Sequence, residues 1–191
     1  MRVILASQSP RRRELLARTG IPFEVYAADI DETMDPTLPP EQETARVSRA
    51  KAMAVACGPE DVVIAADTIV VCQGKVLGKP HSAQEAVEML RLLSGRTHQV
   101  MTGLTLRRGE RILTQTEISR IHFRPLQQAE IDAYVSTGEP MDKAGAYGIQ
   151  GGAALFIDRL EGDYYNVMGL PLCALTLRLR ELGVLVMGVS K

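Results

Sequence analysis

One carboxylate interrupts the longest apolar run of the sequence. Asp67 lies inside Val62–Cys72, where every other residue except Thr68 is apolar. A run of this length that is rich in β-branched residues is typical of a strand buried on both faces. A buried carboxylate is costly unless it is paired, protonated or bound to a metal. We therefore expect Asp67 to be either a structural group that caps a neighbouring helix or an acid, base or metal ligand.

A second candidate site, of opposite charge, lies near the N-terminus. Ser7 and Ser9 precede Pro10, and three consecutive arginines begin at Arg11. Ser9 followed by Pro10 predicts the start of a helix. Hydroxyls, guanidinium groups and the N–H groups of a helix N-terminus together suit an anion such as phosphate. The alternative for one or two of the arginines is solvated surface charge, and we assign Arg13 to solvent.

Three further charged residues complete the candidate chemistry. Lys51 and Lys79 are each flanked by small or turn residues, and Glu32 follows Asp29 and Asp31 in an acidic, proline-containing stretch. Carboxylate oxygens are ligands that Mg²⁺ accepts. Taken alone, each of these residues is more often a solvated surface residue.

Several common catalytic and binding patterns are missing. Neither G-x-x-x-x-G-K-[ST] nor G-x-G-x-x-G occurs, and no Cys/His or G-x-S-x-G nucleophile arrangement is present. His81, His98 and His122 do not have metal-ligand spacing. The remaining groups are carboxylates for a metal, cations for phosphates and an isolated Asp67, a set suited to metal-assisted hydrolysis of a phosphoanhydride.

These residues must be positioned by alternating strands and helices. Apolar periodicity and turn residues predict strands over 3–6, 23–28, 62–72, 75–77, 98–107, 111–123 and 153–160. The same signals predict helices over 10–20, 41–57, 82–93, 127–136 and 171–182, and mostly loop between 138 and 169. The pattern indicates one mixed α/β domain over residues 1–191.

Composition narrows the class of protein. The 191 residues are 46% hydrophobic and 24% charged, with a net charge of -1, which excludes disorder and a global basic field for nucleic acid or lipid. Because no signal peptide or membrane-length apolar run is visible, we expect a cytoplasmic protein. The three cysteines lack C-x-x-C spacing and are expected to be free, buried thiols.

Six motifs in order resemble those of the Maf family of nucleoside triphosphate pyrophosphatases, from about Val3 to Leu182. The motifs are LASQSPRR from Leu5, AADT from Ala65, LGKP from Leu77, LSGxxHxV from Leu93, EPxDKAGAYGIQG from Glu139 and GDYYNVMGLP from Gly162.

The resemblance implies an inosine-triphosphatase-like (Maf/Ham1) α/β fold, with a mixed twisted sheet flanked by helices and a cleft between two lobes. It implies Mg²⁺- or Mn²⁺-dependent hydrolysis of a nucleoside triphosphate to monophosphate and pyrophosphate, and is compatible with a homodimer. Asp67-Thr68 together with Ile149-Gln150-Gly151 resembles the branch that acts on dTTP and UTP. A house-cleaning activity toward these or modified uridine and thymidine nucleotides is therefore expected.

The resemblance also assigns roles to single residues. Asp67 matches the proton acceptor and, with Glu32, is expected to bind the metal. The specificity positions are Arg11, Thr68 and Gln150, while the positions that line the phosphate and metal end are Ser7, Glu32, Lys51 and Lys79.

One departure from the family pattern and one alternative function remain. Ala50 replaces the Glu that commonly precedes the lysine, which removes a local Glu–Lys pair. The alternative to an enzyme is a nucleotide-binding regulator of septum formation and cell division. The presence of Asp67, Lys51 and Lys79 favours the enzyme.

Overall fold

The computed structural model describes residues 1–188. The strands are β1 (Val3–Leu5), β2 (Glu24–Val25), β3 (Val62–Cys72), β4 (Lys75–Leu77), β5 (Thr97–Arg108), β6 (Arg111–Phe123) and β7 (Ile157–Glu161). The α-helices are α1 (Pro10–Ala17), α2 (Pro40–Ala54), α3 (Ala83–Leu93), α4 (Gln128–Ser136), α5 (Tyr164–Val167) and α6 (Leu172–Glu181). Short 3₁₀ helices cover Glu139–Asp142, Ala144–Ala146 and Gly152–Phe156.

The strands form one mixed sheet, which confirms the α/β class. Its order is β2-β1-β3-β5-β6-β7, and β4 pairs with β3 away from this path. β1 is parallel to both β2 and β3, whereas the β3–β4 and β6–β7 pairs are antiparallel. Only the residues at the middle of β3, Asp67 and Thr68, are partly exposed, as expected for a strand covered on both faces.

The chain divides into two compact units. The first comprises Met1–Asp67, Thr102–Glu117 and the chain from Gly169 onward. Its core includes apolar side chains of β1, α2 and β3, namely Ile4, Ala6, Ala52, Val55, Val63 and Ala65. Within this unit α2 lies directly against β5, because a Cβ atom at Gly103 would lie 2.2 Å from the carbonyl oxygen of Thr44. Only glycine permits that approach.

The second unit comprises Thr68–Met101 and Ile118–Met168. Its core contains His98, which is only 2% exposed and packs edge-to-face against Phe123 and Tyr147. The Nε2 atom of His98 shares a hydrogen bond of 2.7 Å with the Tyr147 hydroxyl. Nδ1 has no hydrogen-bond partner among the described residues. His98 is therefore a buried core residue that favours the neutral form.

Unfolding free energy should fall as pH decreases from about 6.5 toward 4 because of His98. Burial, followed by the charge of His122, lowers the pKa of His98 from 6.5 to about 4, so protonation favours the unfolded chain below the ordinary pKa. Full protonation corresponds to a loss of about 3 kcal/mol. Urea unfolding of the parent and His98→Gln between pH 8 and 4 measures this. Equal pH slopes in the two proteins would contradict the assignment.

The predicted strand over 23–28 is wrong in extent, since β2 contains only Glu24 and Val25. Its partner β1 is the cause. The pairs Ile4 with Glu24 and Leu5 with Val25 use the available length of β1, and the next ladder hydrogen bond runs from Tyr26 N–H to the Leu5 carbonyl. Because β1 ends there, the chain beyond has no neighbouring strand to pair with.

The region after α4 also departs from the prediction. The strand expected over 153–160 begins as a 3₁₀ helix and becomes extended only at Ile157. Ala153 and Phe156 are buried while the two residues between them are exposed, a three-residue repeat that suits a 3₁₀ helix. The short helix α5 is capped by Asp163, whose carboxylate accepts from Tyr165 N–H at 2.7 Å. The sequence prediction did not include this helix.

None of the helices in residues 1–188 has the length and hydropathy required to span a bilayer.

All three cysteines are free, as expected, but only Cys72 is buried. Cys57 is half-buried and Cys173 is exposed on α6, because its position falls on the outer face of that helix.

Candidate active site

Parallel pairing of β1 and β3 sets the positions of Ser7 and Asp67. Leu5 pairs with Ile64, and the N–H group of Ala6 donates to the Ile64 carbonyl at 2.8 Å. β1 then ends and the chain passes through Ser7 into α1, whereas β3 continues to Asp67. Both residues therefore follow the carboxyl-terminal side of paired parallel strands, the edge at which α/β proteins bind ligands.

The partner that Asp67 requires is Lys51. The Lys51 ammonium lies 2.8 Å from Oδ1 of Asp67 and 3.0 Å from Oε2 of Glu32. The Lys51 side chain is only 9% exposed, against 16% for Asp67 and 55% for Glu32. Lys51 therefore bridges two carboxylates from different parts of the chain. Although Ala50 removes the local Glu–Lys pair, Glu32 supplies another.

The start of α1 is built as the sequence predicts. Ser9 caps the helix by accepting from Arg12 N–H at 3.4 Å, and Pro10 occupies its first turn. Ser7 Oγ accepts from the N–H group of Ser9 at 3.2 Å and from Nη1 of Arg12 at 3.3 Å. Arg12 Nε donates to the Gly169 carbonyl at 2.8 Å. These contacts fix the loop between β1 and α1.

The Arg12 guanidinium also interacts electrostatically with the carboxylates of Asp67 and Glu32. Burial lowers the pKa of Arg12, while the nearby charges of Asp67 and Glu32 act to raise it and Arg11 acts to lower it further. The guanidinium is thus within the field of both carboxylates. Arg11 is half-buried and Arg13 is exposed. The first unit therefore combines Ser7, two arginines, Lys51 and two carboxylates in one place.

An ion pair on α2 between the buried Glu43 and the exposed Arg46 holds the loop that carries Glu32. Both oxygens of Glu43, which is 1% exposed, bind the Arg46 guanidinium, at 2.6 and 2.8 Å. Glu43 also accepts from Asp35 N–H at 3.0 Å, and Arg46 donates to the Thr33 carbonyl at 2.9 Å. Hydrogen bonds from Arg46 lower the pKa of Glu43 and keep it ionised. Glu43 and Arg46 therefore fix the backbone that follows Glu32.

Glu32 and Asp67 have the chemistry of ligands for a hard divalent cation. Both carboxylates approach the same ammonium, so their oxygens face a common point. Mg²⁺ is usually held by one or two carboxylates together with waters and substrate phosphates. Across residues 1–188 no group of three or more His, Cys, Asp or Glu side chains is arranged to hold a metal. Two carboxylates alone do not complete the ligand shell of such a cation, so a cation bound here would take its other ligands from water or from a phosphate substrate.

The other three predicted site residues lie in the second unit. Thr68 follows Asp67 in β3 and is half-buried. Lys79 is exposed in the connection between β4 and α3. Gln150 is exposed in the turn that precedes the 3₁₀ helix Gly152–Phe156.

Sequence reasoning missed three residues that organise the first unit. Arg12 was considered only as one of three consecutive arginines. Its spacing from Leu15 and Leu16 nevertheless places it on the buried face of α1. Glu43 and Arg46 are three residues apart, and Glu43 shares a face with the buried Val47. A charged residue at the spacing of a buried apolar face is thus the signal that could have identified Arg12 and Glu43, whereas the exposed Arg46 is marked only by its spacing of three residues from Glu43.

The chain is similar to several known proteins. A family model described as Maf-like protein matches residues 2–182. A solved structure of the Ham1 protein of Staphylococcus aureus matches with a TM-score of 0.45 and 16% identity, covering 64% of this chain and 72% of that one.

Curated relatives match over nearly their whole length. A dTTP/UTP pyrophosphatase of Moorella thermoacetica is 51% identical over 191 residues, covering 98% of each chain. Proteins of the same name from Geobacter metallireducens and Bacillus velezensis are 49% and 46% identical, and each alignment covers 96% of this chain and 97% of the relative. With a family model matching residues 2–182 and relatives at this identity, the chain belongs to the Maf family.

Proposed function

We propose that this chain is a nucleoside triphosphate pyrophosphatase that hydrolyses dTTP and UTP to the monophosphate and pyrophosphate. The observation that carries the proposal is Lys51, which holds Asp67 and Glu32 beside the cationic start of α1. The activity of the named relatives supports the choice of substrate. Modified uridine and thymidine nucleotides fall within the same class.

Asp67 is the group that accepts a proton in this scheme. Its carboxylate orients a water molecule and takes a proton from it as the water oxygen attacks the α-phosphorus. The bond from that phosphorus to the bridging oxygen breaks, and pyrophosphate leaves. Lys51 fixes the Asp67 carboxylate at 2.8 Å and offsets charge that develops on the phosphates.

Binding of the phosphates is assigned to the remaining cations and hydroxyls. Ser7 carries one hydroxyl proton, and Arg11 and Arg12 can each donate several N–H groups to phosphate oxygens. Lys79 supplies a further ammonium in the second unit. A divalent cation held by Glu32 and Asp67 would supply stabilisation of the negative charge on the pyrophosphate leaving group.

Selection of the base is assigned to Gln150, together with Arg11 and Thr68. The uracil or thymine edge presents an N3–H donor beside the O4 acceptor, and one glutamine amide can pair with both. Cytosine reverses this pattern of donor and acceptor, but a glutamine whose amide rotates freely can also pair with cytosine. Discrimination therefore requires a neighbour that holds the amide, either Thr68 or a backbone group of the loop from Gly148 to Gly152, and a wrong base then leaves polar groups unpaired.

Gln150→Ala should reduce kcat/KM for dTTP and UTP and narrow their advantage over CTP. The expected loss for UTP is about tenfold, the effect of one or two unpaired polar groups. Parallel measurements of kcat/KM for UTP and CTP in the parent and the variant test this. A uniform loss with an unchanged UTP-to-CTP ratio would show that Gln150 only supports its loop.

A panel of nucleoside triphosphates tests the proposed function as a whole. Pyrophosphate release is measured for dTTP, UTP, CTP, dATP and GTP with Mg²⁺, with Mn²⁺ and with EDTA. We expect dTTP and UTP to be preferred, and activity to vanish in chelator. Tight nucleotide binding without pyrophosphate release would instead favour a nucleotide-binding regulator of septum formation and cell division.

We also propose a location, an oligomeric state and a set of partners for the protein. It is a cytoplasmic homodimer without nucleic acid or membrane as a partner. Its net charge of -1 supports the absence of a nucleic-acid partner. Size-exclusion chromatography with light scattering measures the oligomeric state directly.

A further inference from the structure

One carboxylate and one phenol hold both ends of the short segment that carries Gln150. Glu139 accepts a hydrogen bond from the Tyr134 hydroxyl at 2.8 Å and another from the N–H group of Gly152 at 3.0 Å. The Tyr134 hydroxyl in turn accepts from the N–H group of Gly148 at 3.1 Å. Gln150 is exposed midway between these two held N–H groups.

Packing leaves this segment little room to move. A Cβ atom at Gly151 would lie 2.0 Å from Oε1 of Glu139, and one at Gly148 would lie 2.7 Å from the Lys143 side chain. Lys143 also donates to the backbone carbonyl of Glu139 at 2.6 Å. Because the carboxylate occupies the place of a side chain at position 151, the backbone beside Gln150 lies directly on Glu139.

Tyr134 is itself held firmly. It is 5% exposed, and its ring packs edge-to-face against Phe156 with a centroid distance of 5.3 Å. Burial raises the pKa of Tyr134, so the hydroxyl keeps its proton and can donate to Glu139 while it accepts from Gly148. The hydroxyl therefore joins the core of the second unit to the segment around Gln150.

We propose that Glu139 and Tyr134 are positioning residues for base selection, which act by fixing the backbone on both sides of Gln150. The inference rests on the proposed function, in which Gln150 recognises uracil and thymine. An anchored backbone fixes the position from which the Gln150 side chain extends, so that a neighbouring group can hold its amide in one orientation, whereas on a loose segment the side chain can move away from that group and pair with cytosine. The pair thus supplies the backbone part of the constraint that selection against CTP requires.

Two variants test the proposal against a matched control. Tyr134→Phe removes the hydroxyl and keeps the ring, and Glu139→Gln removes one of the two acceptors. Glu130→Gln is the control, because Glu130 also accepts a backbone N–H, from Gln127 at 2.9 Å, and its side-chain partner is Arg124 rather than a residue of the segment. The measurements are kcat/KM for UTP and CTP, thermal unfolding, and deuterium exchange of peptides that cover residues 148–152.

We expect faster exchange over 148–152 in Tyr134→Phe and Glu139→Gln but not in Glu130→Gln. In the two test variants the UTP-to-CTP ratio of kcat/KM should fall by about tenfold, mainly through the KM for UTP, because a displaced Gln150 leaves one or two polar groups of the base unpaired. The kcat for UTP should stay within about threefold of the parent, because the reacting groups are unchanged. Glu130→Gln should alter only thermal stability.

Two results would overturn the inference while the proposed function stands. One is unchanged exchange over 148–152 in both variants. The other is faster exchange with an unchanged UTP-to-CTP ratio while Gln150→Ala lowers that ratio. If the parent itself showed no preference for UTP over CTP, the proposed base recognition would fail and this inference with it. The exchange data keep that failure separate from a failure of the anchoring.

Discussion

Asp67→Asn should lower kcat for UTP by about 10²- to 10⁴-fold, the usual contribution of a positioned general base. Asparagine keeps the volume of the side chain and can still accept a hydrogen bond from Lys51, but it cannot take a proton from water. The fold should persist, because Lys51 retains Glu32 at 3.0 Å. Steady-state kinetics together with urea unfolding of the variant measure both effects.

Asp61→Asn provides the matched control in the same unit. Asp61 accepts from the backbone N–H and the guanidinium of Arg2 and from Gly58 N–H, contacts that hold the pKa of Asp61 well below its ordinary value. Its substitution should lower stability and leave kcat close to that of the parent. If Asp67→Asn instead behaved in the same way as Asp61→Asn, Asp67 would be a structural carboxylate.

Lys51→Met should lower kcat/KM for every nucleotide by about 10²-fold, the effect of removing one charge-stabilising donor. The variant keeps the apolar stem but leaves Asp67 and Glu32 without the ammonium that lies between them. The order of preference among bases should be unchanged, because Lys51 contacts Asp67 and Glu32 and is assigned to the phosphates, which are common to all substrates. Kinetics with UTP, dTTP and CTP test the prediction.

The exposed Lys75 in β4 serves as the control for this variant. Lys75→Met should retain the activity of the parent, which separates the loss of a particular ammonium from the loss of one positive charge. A Lys51→Met protein with full rate but altered base preference would place Lys51 with the base. That result would contradict the proposed arrangement of the first unit.

The elements that the sequence predicts best are those with strong local signals. β3 and β4 match the prediction, because a β-branched run is followed by a turn at Gln73-Gly74. α3 also matches, since Ser82 caps it by accepting from Glu85 N–H at 3.1 Å. The extent of β2 and the 3₁₀ helix before β7 were not predictable in this way. They depend on the length of a partner strand and on packing against α4.

In the candidate site too, single residues can be predicted from the local sequence, but the contacts between residues that are distant in the sequence cannot. The apolar run around Asp67 predicts that this carboxylate needs a partner, but periodicity does not identify Lys51, which is 16 residues away on α2. The family resemblance singled out Lys51 without indicating that it joins Asp67 to Glu32. The contacts of Glu139 with Gly152 likewise join residues whose proximity depends on tertiary folding.

Hydrolysis of UTP in ¹⁸O-labelled water tests the central claim most directly. The products are separated and analysed by mass spectrometry after a single turnover of the parent enzyme with Mg²⁺. Attack of water on the α-phosphorus predicts that the label enters UMP and that pyrophosphate carries none. Label in pyrophosphate, or release of UDP and phosphate, would contradict the account.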